Sequence, residues 1–184
     1  MLKQRVSVLV GLGVAVLALA AAAVAGTVTA TATVTGAGSL SLSHGATSSL
    51  SDTLDGSDQT VSYSMPLTLV DARGSGAGWN LTITSTTFTD ASSHTLATAA
   101  SSLSGVTSAC NAGGSCTSAT NAITYPLTVP AAGTAPTAVK FFNAAANTGM
   151  GRFTLTPSVS VSIPGNSFAG SYTSTVTVAA VTGP

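Results

Sequence analysis

Apolar and polar residues alternate along most of the chain, with apolar side chains at every second position and Thr or Ser between them. Such alternation is typical of a β-strand with one buried and one wet face, because successive side chains point to opposite sides. Glycine, proline and serine separate the alternating runs, which begin at Val28, Val61, Trp79, Ile123, Phe153, Val159 and Tyr172. Many short strands joined by such turns indicate antiparallel pairing.

Two stretches have a different pattern. Residues 92–106 place Leu96, Ala100 and Leu103 at helical spacing, and residues 137–149 are compatible with a short helical turn. Both stretches are also compatible with loops. The sequence therefore predicts an all-β fold, an antiparallel β-sandwich or barrel-like (Ig-like) arrangement, with one or two short helical turns.

The first residues of the chain differ from the rest. Lys3 and Arg5 precede a long apolar run, and residues 23–25, Ala-Val-Ala, match the small-x-small pattern that signal peptidase accepts. We predict a signal peptide over residues 1–25 and a single β domain over residues 26–184. The alternative is a retained membrane anchor, since about 20 apolar residues can span a bilayer.

The chain is almost uncharged. Only 5% of its residues carry a charge, with five basic and five acidic side chains, whereas a typical soluble domain is about a quarter charged. This balance gives no excess of basic residues that would attract nucleic acid, or a membrane surface once the signal peptide is removed. The residue directly after the predicted cleavage site is not a cysteine that could be acylated, and the C-terminal sequence has no sorting signal or second apolar span. Retention at a cell surface would therefore be non-covalent.

Few residues suit catalysis or metal binding. The chain contains no glutamate, and its two histidines, His44 and His94, lie far apart in sequence. Asp52, Asp55 and Asp58 do not follow the spacing of an EF-hand loop, and an Asp-Gly pair beside them is an ordinary turn signal. We predict a protein that is not an enzyme and that uses no cofactor and no metal.

The two cysteines lie close together in sequence. Cys110 and Cys116 flank a glycine-containing stretch, and no histidine lies near either of them. In an exported protein such a pair is expected to form a disulfide. Closing so short a loop stabilises the fold by only about 2 kcal/mol, so its role is to fix the loop.

Trp79 is the only tryptophan, and it shares a strand face with Leu81 and Ile83. A buried aromatic side chain removes about 150–250 Å² from water. At ~25 cal/mol per Å² this is an upper bound of several kcal/mol. We predict that Trp79 forms the centre of the core. The alternative is an exposed indole that stacks on a sugar ring.

The stretch GWNLTIT, which contains Trp79, Asn80 and Leu81 and follows DARGSGAG, resembles the proximal motif of the WxL-domain surface proteins of Gram-positive bacteria. The resemblance extends from about residue 27 to the end of the chain. Four residues fit the distal motif of that family, whereas its Trp and Leu positions hold other residues. The fitting residues are Tyr172, Val176, Thr177 and Pro184, and the replacements are Val178 and Ala180.

The resemblance implies non-covalent attachment to the peptidoglycan of the cell wall, alongside partner surface proteins, and an extracellular location. The candidate binding residues are Trp79, Leu81, Tyr125 and Tyr172, together with hydroxyl-rich strand faces. In family members that have both tryptophans, the pair either forms a surface for the ligand or packs inside the domain. In the second case valine can replace the distal tryptophan. A second hypothesis is a self-assembling surface or fibre subunit, joined by strand addition through residues 27–35.

Overall fold

The computed structural model describes residues 30–36, 38–46 and 49–184. The predicted signal peptide lies outside these residues. Within them the chain contains no helix, and so none that could cross a membrane. The described residues form ten strands: β1 (Leu40–His44), β2 (Gln59–Ser64), β3 (Leu67–Asp71), β4 (Trp79–Thr86), β5 (Ser101–Cys110), β6 (Leu127–Thr128), β7 (Ala131–Ala132), β8 (Val139–Ala144), β9 (Gly151–Ile163) and β10 (Val176–Thr182).

A six-stranded antiparallel sheet is organised around β9, which is 13 residues long. One edge of β9 pairs first with β3 and then with β2, and the other edge pairs with β5. Pro157 lies where β3 gives way to β2. Proline has no N–H for a ladder bond, and its carbonyl accepts a hydrogen bond from the Met65 amide at 3.0 Å. β1 pairs with β3, and β6 pairs with β5.

The second sheet has four strands around β4. β10 pairs along one edge of β4, and β8 and the short parallel strand β7 share the other. The register between β4 and β8 shifts at Leu81 and Thr82, which leaves Phe141 as an extra residue. This bulge breaks the period of two, and as a result the consecutive Phe141 and Phe142 are both buried.

The two sheets pack as a sandwich that is not a closed barrel, and Trp79 lies between them with no exposed surface. Its ring centroid is 5.9 Å from that of Phe142 in the four-stranded sheet and 6.2 Å from that of Phe153 in the six-stranded sheet. Its indole Nε1–H donates to the Gly149 carbonyl at 2.8 Å. The all-β prediction and the central position of Trp79 are both confirmed.

The predicted helical turns are wrong. In residues 92–106 the apolar spacing comes from two successive structures, because Leu96 and Ala100 anchor turns while Leu103 belongs to β5. In residues 137–149 the paired phenylalanines belong to β8 at its bulge. The apolar residues of both stretches are therefore buried by turns and strands, and not by helices.

Some predicted strand limits also change. The runs at Phe153 and Val159 are one continuous strand, β9. Within the run at Ile123, only Leu127–Thr128 forms a strand, and Tyr172 lies before β10. Residues 30–35 of the N-terminal run are exposed and belong to no strand. The earlier residues of that run lie outside the described part.

The predicted disulfide between Cys110 and Cys116 is present. It links the end of β5 to a segment that hydrogen-bonds to the residues just before β9, where the Thr117 amide donates to the Met150 carbonyl at 2.9 Å. The crosslink therefore fixes the loop beyond β5, which agrees with the local role expected from the sequence.

Substitution of Gly149 tests how strongly the fold depends on the Trp79 contact. Gly149 has φ +71°, and a Cβ atom there would lie against Ala144 Cβ and 2.6 Å from Trp79 Nε1. Left-handed backbone costs an L-residue about 1–2 kcal/mol, and overpacking adds about 1–3 kcal/mol. We expect Gly149→Ala to lower the free energy of unfolding by the sum of both, measured by urea denaturation with circular dichroism.

Gly113→Ala is the matched control. Gly113 has a similar φ of +83°, and nothing lies within 4 Å of the added Cβ atom. This variant should show the backbone cost alone. Equal losses in the two variants would contradict a packing role for Gly149.

Candidate functional site

The loop before Trp79 is held by an ion pair. Asp71, at the end of β3, is 3% exposed and receives two hydrogen bonds from the Arg73 guanidinium, from Nε at 2.8 Å and from Nη2 at 2.9 Å. Arg73 also donates to the Gly78 carbonyl at 2.8 Å and to the Thr182 hydroxyl at 2.9 Å. The pair therefore fastens the motif loop to the end of β10.

Electrostatics and neighbouring amides reinforce this attachment. The hydrogen bonds from Arg73 hold the pKa of Asp71 below its usual value. Asn80 Nδ2 donates to the Gly183 carbonyl at 2.7 Å, whereas Asn80 Oδ1 is buried without a hydrogen-bond partner. Lys140 donates to the Pro184 carbonyl at 2.8 Å. Arg73 and the Asn80 amide nitrogen of the motif region therefore hold the C-terminal strand and the residue after it.

Two of the four predicted binding residues lie in the core. Trp79 and Leu81 are both 0% exposed, so in this structure neither can touch an external polymer. Their assignment as ligand contacts is corrected to packing residues, because they project from β4 into the space between the sheets. The alternative of an exposed, sugar-stacking indole is excluded for this conformation.

The two positions where the family's distal motif has Trp and Leu also face the interior between the sheets. Val178 is opposite Ile83 and Ala180 is opposite Leu81 in the β10–β4 ladder. Both side chains are partly buried and pack against the core. A packing role for these positions is therefore favoured over a ligand-binding aromatic pair.

Tyr125 is half-buried and also contributes to structure. Its hydroxyl donates to the Phe141 carbonyl at 2.5 Å and accepts a bond from Asn121 Nδ2 at 3.4 Å. Burial raises the pKa of the Tyr125 phenol. The ring packs on the core, so Tyr125 connects the loop before β6 to β8.

Tyr172 is the predicted residue that lies at a cavity. A first cavity of about 620 Å³ has its floor on Leu96 and the ends of β2 and β9, and its walls are residues 50–54 and 167–172. A second cavity of about 420 Å³ adjoins it beside β10, with Met65 and Val178 in its lining. Both cavities are lined by Leu50, Phe88, Ser171 and Tyr172. We call the two cavities together the Tyr172 groove.

The most exposed aromatic side chain of the Tyr172 groove is Phe168, at 62% exposure. Its ring stacks on His94 with centroids 3.9 Å apart and planes 12° apart. The Tyr172 hydroxyl donates to the Phe168 carbonyl at 2.9 Å. Phe168 is therefore held in place although most of its surface faces solvent.

His94 is in turn positioned by Asp90. The ring Nδ1–H donates to Asp90 Oδ2 at 2.8 Å, and the His94 and Ser92 amides donate to Asp90 Oδ1. These hydrogen bonds, led by the one from the His94 ring, lower the pKa of Asp90. Sequence reasoning missed this arrangement and missed Phe88 and Phe168, because they lie in loops where no periodic pattern marks them.

A family model described as WxL domain surface cell wall-binding matches residues 26–178. The chain belongs to the WxL family. No curated protein and no solved structure matches it significantly. A WxL domain is a surface cell wall-binding domain, so this protein is placed at the extracellular cell surface.

In this WxL domain the proximal motif is a folding element, and the Tyr172 groove is a pair of cavities open to solvent. The groove is assembled from segments distant in sequence, around residues 50, 88 and 170. The Tyr172 groove and the proximal motif are therefore separate parts of the domain, since neither Trp79 nor Leu81 lines either cavity.

The ion pair in the motif loop gives a pH-dependent prediction. Because the pKa of Asp71 is lower in the folded than in the unfolded state, its contribution is complete above about pH 4 and disappears as the pH falls through the folded value. Asp71→Asn should lower the free energy of unfolding at pH 7 by about 1.5–3 kcal/mol. It should also flatten the loss of stability in acid.

Asp52→Asn, at an exposed carboxylate, is the control for a change of charge alone. Urea midpoints from pH 7 down to pH 2 measure both variants. An Asp71→Asn protein whose acid profile is parallel to that of the wild type would contradict the assigned role.

Proposed function

We propose that this WxL protein attaches non-covalently to the peptidoglycan of the cell wall, without catalysing a reaction, and that the Tyr172 groove makes the contact. One observation carries the proposal: a surface cell wall-binding domain has a solvent-open groove with several aromatic side chains in its lining. Concave sites of about 300–1,000 Å³ with a few polar groups are typical of ligand binding.

The aromatic and hydroxyl groups of the groove suit a saccharide-containing polymer. Phe88 and Tyr172 present half-buried rings to both cavities, and Phe168 adds an exposed one. Serine and threonine side chains stand around them, among them Ser51, Thr53, Ser64, Ser167, Ser171, Thr173 and Ser174. In such a lining the aromatic rings can stack on the C–H groups of a sugar, and the hydroxyls can hydrogen-bond to its polar substituents.

A non-catalytic role is supported by the surroundings of His94. Its ring is hydrogen-bonded to Asp90, and it stacks on Phe168. Among the described residues no serine hydroxyl is hydrogen-bonded to that ring, as a serine nucleophile would be. The His94–Asp90 pair is therefore interpreted as support for the wall of the groove.

A second candidate function is self-assembly through the N-terminal segment. Residues 30–36 are exposed and outside any strand, and Val34 is 92% exposed. Over residues 104–110, β5 pairs with β9 on one side and, within the described residues, with no strand on the other. A long uncharged edge of this kind can accept a strand from another molecule.

Sedimentation with purified peptidoglycan tests wall attachment. We expect the purified protein to pellet with the insoluble polymer in a saturable way. Tyr172→Ala should weaken binding several-fold, because it removes a ring shared by both cavities. Val181→Ala, which shortens an exposed side chain of β10 outside the groove, should bind like the wild type. A native protein that remains in the supernatant at saturating polymer would remove the basis of the proposal.

Deletion of residues 26–35 tests the second candidate. If the segment joins neighbouring molecules, the deletion should convert oligomers to monomers in analytical ultracentrifugation while sedimentation with peptidoglycan is unchanged. A native protein that is monomeric at high concentration would exclude this function.

A further inference from the structure

We infer that the Tyr172 groove binds the glycan strand of the wall polymer, a chain of neutral sugar rings. Charged stem peptides and phosphate-rich wall polymers would then not be its ligands. The inference rests on the proposed function and specifies which part of the polymer is recognised. It is carried by the charge of the groove, by the aromatic platform at Phe168 and by the arrangement of the two cavities.

The charge of the groove disfavours an anionic ligand. Among the described residues, no lysine or arginine lines either cavity, and the ionisable linings are Asp52, Tyr63, Tyr172 and His44. A carboxylate or phosphate that enters the groove would lose water without gaining a lysine or arginine partner. Asp52 would also repel it. A neutral sugar ring carries no such penalty.

The exposed ring of Phe168 has the properties of a stacking platform. One face is covered by His94, at a centroid distance of 3.9 Å, and yet the residue remains 62% exposed. An exposed phenylalanine gains free energy when an apolar surface covers it. The C–H face of a pyranose ring supplies such a surface while its hydroxyls point to the rim of the site.

The platform is fixed before any ligand arrives. Asp90 holds His94, His94 holds the Phe168 ring, and the Tyr172 hydroxyl holds the Phe168 backbone. At Gly170, an added Cβ atom would lie 3.0 Å from Asp90 Oδ2, so this loop packs closely on the Asp90 turn. A site organised in advance loses little entropy on binding, which suits a polymer of repeated weak contacts.

The two cavities suit consecutive units of one chain. They have volumes of about 620 and 420 Å³ and share the Phe88 and Tyr172 rings between them. A strand of linked sugars can therefore place one part in each cavity and cross the shared rings.

The test is calorimetric titration of the purified protein with the tetramer of N-acetylglucosamine. We expect saturable binding that Phe168→Ala weakens by about fivefold, the scale of one aromatic contact. Tyr172→Phe removes the hydroxyl that holds Phe168 but keeps the ring, and should weaken binding by a smaller factor. Val181→Ala should bind like the wild type. Circular dichroism establishes that each variant is folded.

A synthetic stem peptide and a glycerol phosphate oligomer are the charged probes, and neither should bind. Binding of either probe in place of the sugar tetramer would overturn the inference, as would equal tetramer affinity in wild type and Phe168→Ala. The same proteins are sedimented with peptidoglycan. Sedimentation without tetramer binding refutes the glycan inference alone. Tetramer binding without sedimentation supports recognition of sugar rings by the groove but refutes attachment to the wall polymer.

Discussion

The hydrogen bond from the Trp79 indole to the Gly149 carbonyl is the interaction on which the sandwich depends. It satisfies the one polar group of the largest buried side chain and brings the turn after β8 against the start of β4. Because an added Cβ at position 149 would meet the indole, this contact requires glycine. The rings of Phe142 and Phe153 then complete the packing from the two sheets.

Much of the fold could be predicted because threonine-rich alternation marks half-buried strands. β2, β9 and β10 follow that rule. β4 shows the alternation in its apolar residues, although its polar face is also largely buried. The rule failed at β8, where a bulge buries Phe141 beside Phe142 and disguises the strand. It also failed at β5, much of which is exposed serine, alanine and threonine with little apolar signal. Bulges and exposed edges depend on tertiary pairing, which a local pattern does not contain.

The candidate site was harder to predict than the core. Tyr172 was identified from the distal motif, but Phe88 and Phe168 lie in loops, and only the folded chain brings them to one groove. The proximal motif, in contrast, suggests binding residues that are not at the surface. Trp79 and Leu81 were candidates for ligand contact, and both are fully buried. The family motif thus identifies how the domain folds, and the groove between distant loops is where ligand recognition is proposed.

The single tryptophan also gives the protein an intrinsic optical reporter. Its indole lies in a dry interior and is 0% exposed, so the folded chain should emit fluorescence at short wavelength, with a red shift when the sheets separate. Since Trp79 lines neither cavity of the Tyr172 groove, a ligand bound there should leave this emission almost unchanged. Spectra recorded on wall-attached protein would then report the integrity of the fold independently of occupancy.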